Sequence, residues 1–430
     1  MKLKNWGNYP KADGKVIPVA TNEELKQSIV NEPELIAQGN HRSYGDSAFA
    51  STVIDMKDRD YFLDFDQEKG ILHCQSGLLF ADILKIIIPK GWILPVLPGT
   101  QFVTVGGAIA SDIHGKNHHK QGTFGQHVLS IRLMLADGSI KTCGKDNNPQ
   151  LFRASCGGMG LTGIILDAKI QLMAIKSDSI KQKVIKTNDL KQTFKVFEDN
   201  QHSSYSVAWI DCMASDNERG KGLVMLGEFQ PQGGLKHEVK SKLKLPVFFP
   251  AFILNSWSMK IFNYLYYRFA KEGSNVLSIN QFFFPLDSIS GWNRMYGKKG
   301  FLQYQLVLPL ENSYEGMLEI LNKIAKSKQG SFLVVLKRMG PANDNLISFP
   351  IEGYSLALDF KYSKKLLVLL EQLDKIVIKH KGRLYLCKDA RMSQNTFNQG
   401  YARADEFRQY RNQLKLNQHF NTQQSQRLSL

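Results

Sequence analysis

The sequence predicts a two-domain protein of the α+β class, and three observations carry that expectation. The chain has 430 residues, which at roughly 100–200 residues per domain makes two or three units with sizeable cores. Its composition is 43% hydrophobic, 10% aromatic and 22% charged, which is globular and excludes disordered, collagen-like and heptad-repeat chains. Its texture also changes near residue 176, from short strands alternating with short helices to longer strands and longer helices.

The elements follow in order. Residues 16–20 read as a strand, and Thr21 with Glu24 forms a capping box ahead of Leu25, Ile29 and Val30. Residues 34–38 make a second short strand, ending in the loop 39–46. A strand at 71–74, a helix over 79–88 and a strand at 93–96 repeat the alternation. Residues 128–135 and 139–143 form a hairpin, because Asp137-Gly138 supplies the positive φ of a tight turn. Residues 163–172 are another strand. Beyond residue 176, strands are expected at 301–309 and 332–338, and helices at 314–326 and 364–379.

An insertion at residues 236–272 interrupts the second unit. It carries Lys236, Lys240, Lys242, Lys244, Lys260, Arg268 and Lys271 against only Glu238 and Glu272. Interleaved with these are Phe248, Phe249, Phe252, Trp257, Phe262, Tyr264, Tyr266, Tyr267 and Phe269. Such a mixture suits a membrane–water interface; a helical hairpin packed on its own domain is the alternative. The longest apolar stretch, 245–254, holds two prolines and falls short of the about 20 residues a spanning helix needs. No secretory leader is expected from the N-terminal residues, which lack a hydrophobic run.

With 55 Lys+Arg against 39 Asp+Glu, the formal charge is +16. That charge fits an anionic membrane surface or a phosphorylated substrate. Nucleic acid is disfavoured, since the chain has no zinc finger pattern, no aromatic RNP-type strand and no long basic helix. Five widely spaced cysteines without a CxxC pair argue against a disulfide framework or a structural zinc, and a reduced, cytoplasmic protein is expected.

Two glycine-rich segments carry the chemistry: 39–46, and Pro98-Gly99 through Thr104-Val105-Gly106-Gly107 to Ala110. Glycines let backbone N–H groups approach an anion, and a helix starting at Gly106 would turn its positive end there. Neither segment matches GxGxxG after a first strand or GxxxxGK[ST], so a nicotinamide Rossmann site and a P-loop are disfavoured; two loops could clamp one diphosphate. His114, His118 and His119 fall within six residues. They lack a second ligand cluster at metal spacing, so no metal is expected. A polar loop against a cofactor ring, with His114 as donor or base, is the competing reading.

Loops 39–46 and 98–125, with Gly157-Gly158-Met159-Gly160-Leu161-Thr162-Gly163, resemble the FAD-binding domain of the vanillyl-alcohol oxidase superfamily. Within it they are most similar to the decaprenylphosphoryl-ribose 2′-oxidase branch. The likeness continues through 281–286, Trp292-Asn293-Arg294, 300–305, Leu336-Lys337-Arg338, 385–392 and Asp405-Glu406-Phe407-Arg408, and so covers nearly the whole chain. It implies a two-domain fold in which residues 1–175, completed by 380–430, hold FAD, and residues 176–379 cap the ring with an antiparallel sheet. The implied reaction is oxidation of a secondary hydroxyl, the 2-hydroxyl of a polyprenyl-phosphoryl pentose, by hydride transfer to flavin N5. That step would be the first half of an epimerisation, completed by an NAD(P)H-dependent short-chain reductase. The implied protein attaches peripherally to the inner membrane to reach its lipid-linked sugar phosphate. A soluble sugar, alditol or aldonolactone oxidase of the same fold, or a non-catalytic flavin-fold lipid-binding protein, stays open on this sequence.

The resemblance also assigns residues. Gly39, Asn40, Arg42, Ser43, Tyr44 and Gly45, with Gly99, Thr104, Gly106 and Gly107, would hold the diphosphate and ribityl chain; His41, Asp46, Val105 and Asp112 belong to the same cofactor-binding set. Ser111, His114 and Asn117 would border the ring, with Ile164 and Tyr385 packed or hydrogen-bonded near it. Lys388, His114 and Tyr44 would be catalytic. A cation at Lys388 would stabilise anionic reduced flavin and assist deprotonation of the alcohol. Gln303, Gln305 and Lys337 would meet substrate, the two glutamines sharing one strand face. In relatives with covalent flavin a histidine occupies the slot that Arg42 holds here, so non-covalent FAD is expected. Ala357 stands where mycobacterial members carry a cysteine attacked by nitro-aromatic inhibitors, so that bond should not form.

Overall fold

A computed structural model describes residues 1–430 apart from 215, 238–242, 246, 249–254 and 332. Glu238, Lys240, Lys242, Phe249 and Phe252 of the insertion lie outside the described residues, as does residue 332 at the start of an expected strand.

Local signals set the first elements. The Glu24 N–H donates to Thr21 Oγ1 at 3.2 Å while the Glu24 carboxylate accepts the Ala20 and Thr21 amides, which starts the helix Asn22–Asn31. Strands Lys15–Pro18 and Leu35–Gln38 flank Thr52–Asp55 in a parallel three-stranded sheet. The hairpin pairs Val128–Met134 with Ile140–Gly144 around Gly138 at φ +75°. It joins Phe62–Asp66, Ile71–Gln75 and Ile164–Gln171 in a five-stranded antiparallel sheet. The strand expected at 93–96 shortens to Trp92–Ile93, and the helix expected from Gly106 begins one residue earlier, as Val105–Ala110 capped by Thr104.

The second unit is an eight-stranded sheet, antiparallel throughout, running from the edge strand Gly273–Ser278 to the short strand Arg383–Leu384. At its centre lie Tyr205–Ile210, Val334–Met339, Gly353–Lys361 and Phe301–Pro309. Helices Leu310–Ser327 and Lys364–Lys379 cover one face with Met317, Ile320, Leu369 and Leu373. The first of these starts four residues earlier than the apolar spacing predicts, because Pro309 sets its N-cap. The architecture is the two-domain α+β arrangement. One continuous core passes through both units, including Phe124 and Ile109 of the first and Phe349, Leu336 and Tyr354 of the second.

The C-terminal helices Gln394–Gly400, Ala404–Gln413 and Gln423–Leu428 return to the first unit. Arg411, fully buried, donates to the carbonyls of Leu161 and Phe420, and the Gln423 N–H donates to the Phe49 carbonyl at 2.7 Å.

Candidate active site

The two glycine loops meet. A Cβ on Gly39 would sit 2.2 Å from Thr104 Oγ1, so only glycine lets the loop after Leu35–Gln38 lie against the helix cap. Thr104 Oγ1 in turn accepts the Gly107 N–H at 3.2 Å, and Gly106 lies close against Ser76. Gly45, at φ +69°, would bring a Cβ to 1.9 Å from the Asp389 carbonyl oxygen, so this loop also touches the Lys388 segment. Asn40 Nδ2 donates to the Phe102 carbonyl at 2.8 Å, and Gly99 faces open space. The Ser43 carbonyl accepts the Trp6 N–H at 3.0 Å, and the Arg42 guanidinium lies 4.3 Å from the Trp6 ring centroid. Beside them opens a cavity of about 730 Å³, lined by Asn40, His41, Arg42, Phe102, Trp6 and Trp292 among others.

Several buried polar atoms of this cradle have no protein partner: His41 Nδ1, Arg42 Nε, Ser76 Oγ and Asn117 Oδ1. Buried polar groups are normally paired, and a polar cofactor in the cradle supplies that pairing. Two carboxylates, however, are used internally. Asp46 is held by Arg427 at 2.7 Å. Asp112 accepts from the Gly125 amide, Asn343, Asn345 and Ser348, the last at 2.6 Å. The side chains of Asp46 and Asp112 thus have protein partners that shape the two loops. Val105 is fully buried in the core, so only its backbone is on offer.

Facing the cradle is a polar centre around His114. Tyr385 Oη donates to the Ser111 carbonyl at 2.8 Å, and its ring stacks on Phe349 with centroids 4.6 Å apart. The His114 ring lies 5.6 Å from Tyr385. Its Nδ1 meets Lys337 Nζ at 2.9 Å and its Nε2 meets the Gln305 amide at 3.0 Å. The same Gln305 Nε2 donates to Ser355 Oγ at 3.3 Å, so His114 and Ser355 share this amide. Burial, then Lys337, His118 and Lys388, hold His114 well below the usual imidazole range. Neutral His114 therefore has a protein contact at each ring nitrogen, Lys337 at Nδ1 and Gln305 at Nε2. His118 Nδ1 accepts the Gly340 amide and His119 Nε2 donates to the Ser203 carbonyl, so the three histidines of this loop have separate protein partners.

Lys388 is half-buried, with Nζ 4.2 Å from the Tyr44 ring centroid. Burial lowers the Lys388 amine and raises the Tyr44 phenol well above 10, so Tyr44 stays protonated and serves as the platform under the cation. Burial also brings Lys337 and Lys116 down to about 7. Three half-buried amines on this side of the site favour an anionic ligand, which would restore their charge.

Register explains why these side chains converge. Gln303 lies opposite Asp359, and Gln305 opposite Ala357, which lies opposite Val335, which lies opposite Trp209. Lys337 lies opposite Ser355 on the same face. Sequence reasoning missed Asp359, Ser355 and Lys116. The signal for the first two was an alternation, Ser355, Ala357 and Asp359, inside an otherwise apolar strand. Ile164 packs in a different part of the first unit. It is fully buried in a separate cluster with Val19, Leu25, Met134 and Phe420, away from the group that borders His114.

A glycine-built, anion-ready cradle beside a half-buried cationic centre fits FAD. The sequence profile described as an FAD binding domain matches residues 21–144, and together they define an FAD-dependent oxidoreductase. The chain belongs to the family of the decaprenylphosphoryl-beta-D-ribose oxidase of Mycolicibacterium smegmatis, with which it is 34% identical over 453 residues, covering 100% of this chain and 97% of that protein. Shorter likenesses reach the L-gulonolactone oxidase of Mus musculus, 28% identical over 156 residues, 36% of this chain and 34% of that one. The Delta(24)-sterol reductase of Homo sapiens is 32% identical over 114 residues, 26% of this chain and 22% of its own.

Proposed function

We propose that this enzyme oxidises the 2-hydroxyl of a polyprenyl-phosphoryl pentose to a ketone. The observation that carries the reading is the sheet face on which Gln303, Gln305 and Lys337 stand beside His114, within a chain related over its full length to an oxidase of decaprenylphosphoryl-ribose. Bound FAD supplies the hydride acceptor. Lys388 would supply positive charge that stabilises an anionic reduced flavin. Gln303 and Gln305 orient ring hydroxyls, and Lys337 and Lys116 favour the phosphate. The keto product would pass to an NAD(P)H-dependent short-chain reductase that returns the hydroxyl with inverted configuration.

Attachment to the inner membrane belongs to this reading. Among the described residues no helix is long and apolar enough to cross a membrane. The helix Ser256–Phe269 leaves Trp257 75%, Tyr264 60% and Phe269 74% exposed, and its only charges are Lys260 and Arg268. Such a face fits the interface of an anionic bilayer. The helix contacts the substrate face: the Tyr266 and Trp209 rings lie 4.9 Å apart, and Trp209 continues the row from Gln305. This continuity supports an apolar route for a lipid tail from ring to membrane.

The test is an anaerobic absorbance spectrum of the flavin-loaded protein before and after adding polyprenyl-phosphoryl ribose. Bleaching is expected. An unbleached flavin overturns the substrate assignment in favour of a soluble sugar.

A further inference from the structure

Hydride transfer from an alcohol leaves one proton to be disposed of, and the groups around the site differ in what they offer it. His114 has both nitrogens occupied, and Tyr44 is held protonated. Asp359 is different. It is 1% exposed, yet its carboxylate receives one side-chain hydrogen bond, from Gln303 Nε2 to Oδ1 at 2.6 Å. Oδ2 is buried and unpartnered. A buried carboxylate oxygen without a donor is costly unless a ligand or a proton completes it.

The surroundings of Asp359 lie at the junction of the cofactor loop and the cap. Gln303 faces it from Phe301–Pro309, where the two residues are register partners, and the Asp359 N–H donates to the Leu333 carbonyl at 3.3 Å. Tyr44 of the cofactor loop and Tyr296 both feel its charge. Lys388, from the short helix Leu386–Lys388, is the cation that acts on it, and Asp359 in turn favours the charged Lys388.

We infer that Asp359, with the Lys388 cation acting on it, takes the hydroxyl proton of the substrate. The inference rests on the proposed oxidation. In that step the C–H bond breaks with its electron pair leaving for the bound flavin, which is reduced by two electrons. The O–H bond breaks with its proton going to Asp359 Oδ2, and the carbonyl π bond forms. Gln303 fixes Oδ1, which leaves Oδ2 as the oxygen without a donor. Burial raises the Asp359 carboxyl to about 7, partly offset by Gln303 and Lys388. Below that pH the group is already protonated and cannot accept, so the rate should fall as pH drops through the neutral range. Lys337 and Lys116 titrate in the same range, so the pH profile is read against the variant rather than alone.

The experiment uses the FAD-loaded protein and two readouts. In protein labelled with ¹³C-aspartate, infrared difference spectra should show a protonated carboxyl band that titrates near neutrality, is absent in D359N and survives in D374N, which removes the other strongly raised buried carboxyl. Anaerobic bleaching by polyprenyl-phosphoryl ribose should slow by about 10²–10⁴-fold in D359N at unchanged flavin content, lose its low-pH limb, and recover in part in D359E. Bleaching of D359N within about threefold of wild type, or a retained low-pH limb, overturns the inference. If D359N does not hold flavin, the wild-type carboxyl band decides: its absence overturns the inference. A wild-type flavin that never bleaches while the band titrates overturns the substrate reading instead.

Discussion

At the scale of single residues, burial decides what each ionisable group can do. Lys388 keeps its place because the Tyr44 face and Asp359 support a cation that burial alone would disfavour. K388M should retain FAD, because the cradle is built by Gly39, Thr104, Gly106 and Gly107, yet slow anaerobic flavin reduction by about 10²–10³-fold. Stopped-flow bleaching with a parallel flavin assay checks this, and an unchanged rate would remove Lys388 from the chemistry. Arg42 makes the second prediction. Its guanidinium stacks between Trp6 and Phe102 and cannot bond a flavin carbon, so acid precipitation should release yellow colour into the supernatant. Colour kept in the pellet would point to a covalent link through His41.

At the scale of elements, the short C-terminal helix Gln423–Leu428 ties the two halves of the site together. Arg427 donates to Asp46 at 2.7 Å and to Asp389 at 2.9 Å, joining the cofactor loop to the residue after Lys388. Gln424 Nε2 adds a bond to the Leu386 carbonyl at 2.9 Å. R427M would leave two buried carboxylates facing each other without their shared cation, at a cost of about 3–5 kcal/mol. A lower thermal midpoint and weaker FAD retention are expected, read by calorimetry and flavin titration. A midpoint equal to wild type would mean that the ion pairs contribute nothing net.

At the scale of the whole molecule, the excess positive charge and the aromatic helix act together. Removing two interfacial aromatics forfeits about 1.5–3 kcal/mol each if both are buried in the bilayer. W257S/F269S should therefore bind anionic vesicles at least 10²-fold more weakly in flotation, with flavin content unchanged. Binding should also weaken with added salt, since part of it is charge attraction. Undiminished flotation of the double variant would place the membrane contact elsewhere.

What the sequence determined by itself was local. The Thr21–Glu24 capping box, the Asp137-Gly138 turn and the apolar periodicity of 301–309 and 364–379 act over a few residues, and those elements form where they are read. The glycine loops were legible for the same reason: only glycine tolerates the approaches at Gly39 and Gly45. Tertiary structure decided which side chains face the ligand. Asp46 and Asp112 sit in cofactor-binding loops, yet their partners Arg427 and Asn343 lie hundreds of residues away, and only folding reveals that those carboxylates are already taken. Asp359 reads as one polar residue in an apolar strand until folding sets it opposite Gln303 and within the field of Lys388. Register across the sheet, set by hydrogen bonding between strands distant in sequence, is the physical quantity that a linear reading does not contain.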